Sequence, residues 1–511
     1  MLWLEEWMTY NIALNMWHDA SIACVNNGKL EVLLESERFS HIKHDRMSPS
    51  CMIEFEKQDY GDIDSALNAC MKEGSTHHAY HGAHAFYDSG FKEAVCVVVD
   101  GLGSEIALKE KTFQEGTYGR ECVSIYKASY PNKMDLIYRI VCVPWEDANK
   151  GMWTSDGKTH VVRIQSPANM FQKTCENWGM NWYDSGKLMA MAAYADKDMN
   201  YKDFNTSLFE INMSDIRDVK LKGEYNTFQE KANFCAWLQD YTQNYVIRLI
   251  VQAIEMTGCK NVCLSGGYFL NCVANSYIRK NISDEIKIFV EPICGDDGVS
   301  IGLAKLQWHE QTLSKKITPL KNVYNGVKRE IDVEGKKTNF KEVAKLLEQG
   351  KVVSIFQSRS ECGPRALGNR SILYDPRDPD GRNKINALKR REDYRPLAAT
   401  VLYEHAKKWF DMSFIDESPY MLYNLDVLSD KVPAICHVDN TCRVQTLKKS
   451  FNKNFYQLIW EFYKLTGVPL LLNTSFNLAG DTIVETVDDA VKTLNSSDID
   501  YLYFPEKQII I

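Results

Sequence analysis

Residues 94–103 read AVCVVVDGLG, an unbroken run of small and β-branched apolar residues that stops on an acid, Asp100, and continues as Gly101-Leu102-Gly103. Such a run is what a strand needs when both faces of its sheet are covered. A second run of this kind, NVCLSGG (261–267), follows a long helical stretch over 229–258. Upstream, residues 11–35 read as an apolar strand, a turn at Asn26-Asn27-Gly28 and a second strand ending near Glu35. Downstream, a helix over 340–349, Gly350 and the strand VVSIF (352–356) open another unit. Residues 104–165 read as further strands rich in aromatics. The alternation of short strands with helices gives an α/β fold.

The 511 residues exceed one typical domain, so two or three domains are expected. Residues 313–338 are polar, basic and poor in apolar periodicity, which makes them the linker between 1–312 and 339–511. The formal net charge of -8 argues against a non-specific binder of nucleic-acid backbone, while leaving room for a local basic pocket. No apolar run is long enough to span a bilayer, so no membrane partner is expected. The opening MLWLEEWMTYNIALNM carries early acids and is not read as a secretory signal. The fifteen cysteines are scattered, without a CxxC pair, and read as free thiols of a cytoplasmic protein.

THHAYHGAH (76–84) concentrates four of the eleven histidines. His77 and His81, at i and i+4 of a helix, share one face and are close enough to share a metal. Asp100 and an acid from GDDG (295–298), Asp296 or Asp297, complete a set suited to iron(II), manganese or zinc. Spacing alone does not choose between the two aspartates. In LSGGYFLNCVAN (264–275) a strand, Gly266-Gly267 and a helix turn backbone N–H groups towards an anion, with Asn271 and Asn275 as polar neighbours. SGKLMAMAAY (185–194) reads similarly.

The stretch 359–396 places Arg365, Arg370, Arg377, Lys389, Arg391 and Arg395 among Gly and Pro turns. KRRED alone reads as a solvated helix face. GPRALGNRS instead fixes the backbone around its arginines, as aiming a guanidinium at a phosphate requires. Arg443, and a strand ending in Asn473, Thr474 and Ser475, extend this into a small anion pocket. His18 and Asp19, at the end of the first strand, read either as a turn with a capping Asp or as a base for an attacking hydroxyl.

Taken in order, HDASIAC, ESERFSHIKHD, HHAYHGAHAFY, VVVDGLG, GKLMAMAAY, LSGGYFLNCVAN, GDDGVSIGLA, GPRALGNRSILYDPRD, REDYRPLAATVL, HVDNTCRVQT and LLNTSFNLAGDTIVE resemble the signatures of the NodU/CmcH carbamoyltransferases from about residue 11 to 490. The resemblance implies an actin/Hsp-type ATPase-like domain over 1–312 and a YrdC-like α/β domain over 339–511. It implies ATP and Mg²⁺ as cofactors, with Fe²⁺, Mn²⁺ or Zn²⁺ on His77, His81, Asp100 and Asp296, Asp296 being favoured over Asp297. It gives His18 and Asp19 the catalytic positions, and Gly101, Gly266, Gly267, Asn271 and Lys187 those around the nucleotide. Arg365, Lys389, Arg395, Arg443, Asn473 and Ser475 fall where carbamoyl phosphate or carbamoyl adenylate is held. The implied reaction is carbamoylation of an acceptor hydroxyl, a hydroxymethylated pyrimidine such as 5-hydroxymethylcytosine in DNA or as nucleotide, or else a secondary metabolite or sugar. A tRNA threonylcarbamoyl-type transferase and a non-catalytic sugar-kinase-like scaffold are the alternatives. A homodimer is compatible with this reading, and the host cytoplasm is the compartment if the gene is phage-borne. Departures from the pattern are Tyr268 and Phe269 after the Gly-Gly pair, His84 in place of a small residue, and Ser104 where an acid is usual.

Overall fold

The computed structural model describes residues 10–58, 60, 76–108, 118–143, 151–163, 166–212 and 215–511. Three sheets position the functional residues. The first is an antiparallel meander of β1 (Asn11–Asn15), β2 (Ser21–Asn26) and β3 (Lys29–Glu35). The expected hairpin is β2–β3, and its turn carries Asn27 and Gly28 at positive φ. The second sheet is built on β4 (Glu93–Val99), β5 (Tyr118–Ser129), β6 (Lys133–Cys142), β7 (Asn261–Ser265) and β8 (Lys287–Val290). Its order runs β8-β7-β4-β5-β6, parallel across the first three strands and antiparallel beyond. Only part of the 104–165 stretch lies within the described residues, and that part is largely strand.

The helices cover the sheet faces as the buried strands demand. Helix α1 (His77–Ser89) packs on β4, α2 (Ser185–Ala192) lies against the long α3 (Phe228–Thr257), α4 (Cys272–Asn281) follows β7, and α5 (Val299–Thr312) lies along α1. A reciprocal capping box between Thr227 and Glu230 starts α3, and Gly258, at positive φ, ends it. A Cβ on Gly302 would stand 2.0 Å from the Tyr80 carbonyl, so only glycine allows α5 to come this close to α1.

The third sheet holds β9 (Val353–Phe356), β10 (Arg370–Tyr374), β11 (Ala398–Leu402), β12 (Thr441–Leu447), β13 (Leu470–Ser475) and β14 (Tyr501–Phe504). Its order is β14-β9-β10-β13-β11-β12 between short edge strands. The expected helix is present as Phe340–Glu348. Residues 313–338 are extended chain tied to both neighbours: Thr318 donates to the Gly28 carbonyl (2.6 Å), Asn325 to that of Leu30 (3.0 Å), and Cys362 N–H to that of Val323 (2.7 Å). Cys362, Leu367, Ala398 and Met421 share one apolar core with Ala83, Phe86, Ile293 and Val299, so the two ends of the chain pack as one body. The fourteen cysteines among the described residues are free, and all but Cys436 are buried.

Candidate functional site

Helix α1 presents His77 and His81 on one face, as the spacing predicts. Their Nε2 atoms lie 3.0 Å apart, and both lie near one oxygen of Asp296, at 3.1 and 3.2 Å. Asp100, at the end of β4, brings Oδ2 to 3.6 Å from His77 Nε2. One donor atom from each of these four residues falls within 4.8 Å of the others. Two imidazole nitrogens and two carboxylates turned inward fit a divalent transition metal. The neighbours that orient these groups fit too: Ser265 lies 3.4 Å from His81 Nδ1, and Gly267 N–H donates to Asp100 Oδ1 at 3.0 Å. Burial and the charge of Asp296 push Asp100 upward, but its histidine contacts outweigh both and bring it down to about 2.

The structure also decides between the two aspartates. Asp296 joins the histidines, whereas Asp297 shares a hydrogen bond with Glu35 and is driven well above the carboxylate range, first by burial and then by that neighbour. His18 stands beside the cluster, its Nε2 3.2 Å from Asp296 Oδ2 and its Nδ1 3.3 Å from Asp19 Oδ2. Burial works against its charged form, but the Asp19 hydrogen bond and the Asp296 charge prevail and raise its pKa to about 9.

Gly266 has φ 100°, and a Cβ there would lie 2.3 Å from the Val99 carbonyl, so the turn after β7 requires glycine to close over the end of β4. A Cβ on Gly101 would stand 2.8 Å from Gln172 Oε1, the end of a side chain that can move. Asn271 and Asn275 serve the fold. Asn271 caps α4, accepting from Ala274 N–H at 3.0 Å, and donates to Gln239 at 2.9 Å. Asn275 donates to the Phe269 and Leu422 carbonyls. Lys187 pairs with Asp184 (3.1 Å) and Glu392 (2.8 Å).

The second constellation is cationic. Arg443 on β12, Ala398 on β11 and Asn473 on β13 form one row across the third sheet, so Arg443 and Asn473 share a face. Lys389 Nζ donates to Ser475 Oγ and Asn477 Oδ1, both at 2.9 Å. Among the described residues no carboxylate lies within 4 Å of Arg365, Arg391, Arg443 or Lys389, and Arg395 meets only Glu392, at 3.7 Å. Burial, then the Arg443 charge, brings Arg365 down to about 9; burial and Arg395 do the same to Arg391. Burial with Arg391 and Arg395 drives Lys389 well down. Buried cations that repel one another with few counter-charges are what an anion-binding pocket would require. Asn473 Oδ1 is also buried without a partner.

Not every arginine of the motif belongs there. Arg370 is wholly buried, donates to the Gln357, Asn369 and Ser358 carbonyls and stacks on Phe356 at 3.6 Å, while Arg377 forks onto Asp375. Both hold the fold.

The two constellations adjoin. Arg365 donates to the Leu270 carbonyl (2.7 Å) just beyond the Gly266-Gly267 turn. Segment 37–44 links them as well: Lys43 feels Glu37 and Arg395, while His44 hydrogen-bonds Asp19 at 2.6 Å. Sequence reading passed over Lys43, His44, Trp182 and Tyr183. The motif ESERFSHIKHD was visible, but nothing local showed which of its side chains turn inward.

The metal-type cluster thus lies next to a group of buried cations of which, among the described residues, only Arg395 meets a carboxylate, that of Glu392. The carbamoyltransferase N-terminus family model matches residues 71–305 and the carbamoyltransferase C-terminus model residues 344–510. The chain belongs to the carbamoyltransferase family of the NodU/CmcH type, and it is an enzyme of that class. It is 29% identical to nodulation protein NolNO of Sinorhizobium fredii, over 95% of this chain and 78% of the relative. It is 26% identical to the 3'-hydroxymethylcephem-O-carbamoyltransferase of Amycolatopsis lactamdurans, over 96% of each chain. A solved HypF in its phosphate- and nucleotide-bound form aligns at TM-score 0.37, with 12% identity over 58% of this chain and 54% of that one, too distant to carry an argument. Among the described residues no helix is long and apolar enough to cross a membrane.

Proposed function

We propose that this chain is an ATP-dependent O-carbamoyltransferase whose acceptor is a hydroxymethyl group, with 5-hydroxymethylcytosine, in DNA or as nucleotide, the acceptor to test first. The observation that carries the reading is the adjacency of the His77–His81–Asp100–Asp296 cluster to Arg365, Arg391, Arg443 and Lys389, buried cations that meet no carboxylate among the described residues. In this reading residues 1–312 are the ATPase-like transfer domain, 313–338 the linker and 339–511 the YrdC-like donor domain. The hydroxymethyl acceptor is favoured by the name of the cephem-modifying relative.

In the donor step water hydrolyses carbamoyl phosphate to carbamate and phosphate, and a carbamate oxygen then attacks the α-phosphorus of ATP, displacing pyrophosphate to give carbamoyl adenylate. Arg365, Lys389, Arg395 and Arg443 hold the anionic oxygens, and Asn473 and Ser475 the carbamoyl group. Gly101, Gly266, Gly267, Asn271 and Lys187 line the nucleotide's approach to the transfer site. There His18 takes the proton from the acceptor hydroxyl, Asp19 orients its ring, and AMP leaves. His77, His81, Asp100 and Asp296 would hold a divalent metal, which, with Mg²⁺ as the nucleotide's counter-ion, would supply positive charge for the leaving phosphate. Holding donor and acceptor together contributes up to ~7–11 kcal/mol in ideal geometry.

The test incubates the protein with ATP, carbamoyl phosphate, Mg²⁺ and iron(II), manganese or zinc, with hydroxymethylated DNA, its mononucleotide or a sugar panel as acceptor. AMP release with a carbamoylated acceptor by mass spectrometry supports the reading; no AMP or pyrophosphate under any combination overturns it. Activity only on sugars or metabolites replaces the acceptor. Activity on tRNA with bicarbonate and threonine in place of carbamoyl phosphate makes it a threonylcarbamoyl transferase.

A further inference from the structure

Asp19 stands between two imidazoles. Its Oδ2 lies 3.3 Å from His18 Nδ1 and its Oδ1 lies 2.6 Å from His44 Nδ1. Asp19 (φ 52°) and His44 (φ 54°) both occupy the left-handed backbone region, which residues with a Cβ rarely adopt. Such conformations persist where the surroundings over-determine them, and they gather at functional sites. The surroundings of His44 do this. Its backbone N–H donates to Glu37 Oε2 at 3.0 Å, its ring stacks on Tyr183 at 4.6 Å and 29°, and Trp182 closes it in at 4.9 Å. Trp182 also meets the His18 ring, at 5.5 Å. His44 lies outside the His77–His81–Asp100–Asp296 cluster, grouping instead with Asp19 and Glu37.

We propose that His44 is a positioning residue for carbamoyl transfer: through Asp19 it fixes the ring orientation and tautomer of His18, so that Nε2 faces the incoming hydroxyl beside Asp296. The chain of contacts is His44 Nδ1–H to Asp19, and Asp19 to His18 Nδ1–H, which leaves Nε2 as the basic nitrogen. Trp182 and Tyr183 confine His44 to one orientation, and the left-handed turns aim Asp19 at both rings at once. The inference rests on the reading of His18 as general base.

The experiment follows carbethoxylation of His18 in the full chain by diethyl pyrocarbonate, quantified by peptide mass spectrometry. In His44→Ala the His18 ring is released, and labelling is expected to quicken about tenfold or more. Asp19→Asn should behave alike. His44→Asn places an amide donor where Nδ1 stood and should restore the slow rate. His44→Gln, whose amide lies one methylene farther out, should not. A melting temperature for each variant separates release of the ring from loss of fold, and the Asn–Gln pair decides the matter should His44→Ala fail to fold. Equal rates in the wild type and His44→Ala, or no difference between Asn and Gln, overturn the proposal. The general-base reading fails separately: His18→Gln that keeps acceptor-dependent AMP release refutes it, whatever His44 does.

Discussion

Arg365 and Arg370 come from one short turn-rich motif and have opposite roles. Arg370 donates to three backbone carbonyls inside the fold, and Arg370→Met takes this donor from all three, the Asn369 carbonyl alone keeping the Gln357 N–H. With the Gln357 and Ser358 carbonyls left without this donor, we expect a loss of about 2–3 kcal/mol in denaturant unfolding. Arg365 has no carboxylate near it among the described residues and is held down to about 9 by burial and Arg443. Arg365→Met removes a repulsive buried charge, so stability should hold or rise while carbamoyl phosphate-dependent pyrophosphate release collapses. Equal destabilisation by both substitutions would contradict the division. At the metal-type cluster, His81 is fully buried with Nε2 near His77 and Asp296. His81→Ala should lower bound transition metal by well over about tenfold, read by elemental analysis after reconstitution. Unchanged metal content would remove the cluster from consideration.

Between helices, the contact of α1 with α5 makes a pH-dependent element. His309, near the end of α5, stacks on Tyr87 of α1 at 4.3 Å and 12°, and its Nδ1–H donates to the Ser314 carbonyl at 2.8 Å. Its Nε2 is buried without a partner, and burial brings the pKa from 6.5 down to about 4. The unfolded chain therefore binds a proton between these values that the folded chain refuses, so stability should fall as pH drops from about 6.5 to 4. Urea unfolding of wild type and His309→Gln across that window checks it. The variant should show a shallower slope, and an identical slope would show that His309 is not responsible.

At the scale of the whole molecule, the two family halves meet through a shared apolar core. Cys362, Leu367, Ala398 and Met421 pack with Ala83, Phe86, Ile293 and Val299, and Leu422 packs with Leu264 and Phe269. Arg38 reaches across to the Gly363 carbonyl, and Gly363 N–H donates back to Glu35. An interface this apolar and interlocked should make the halves unfold together. Calorimetry is expected to show one cooperative transition; two well-separated transitions would mean that each half stands alone.

The sequence by itself determined the elements and much of the site chemistry. Runs such as AVCVVVD are apolar on both faces and can form only buried strands, and the i, i+4 pair His77–His81 shares a helix face wherever that helix goes. The β2–β3 turn was legible for the same local reason. Tertiary structure decided what depends on direction and on distant partners. Asp296 rather than Asp297 joins the histidines because Glu35, far off in the chain, takes Asp297. Arg370 and Arg377 stand among the arginines of one motif in the sequence, yet backbone carbonyls and Asp375 hold them. His44 reaches Asp19 because two left-handed turns and two aromatic rings place it there, and no local pattern encodes a contact between residues that meet only once the chain has folded.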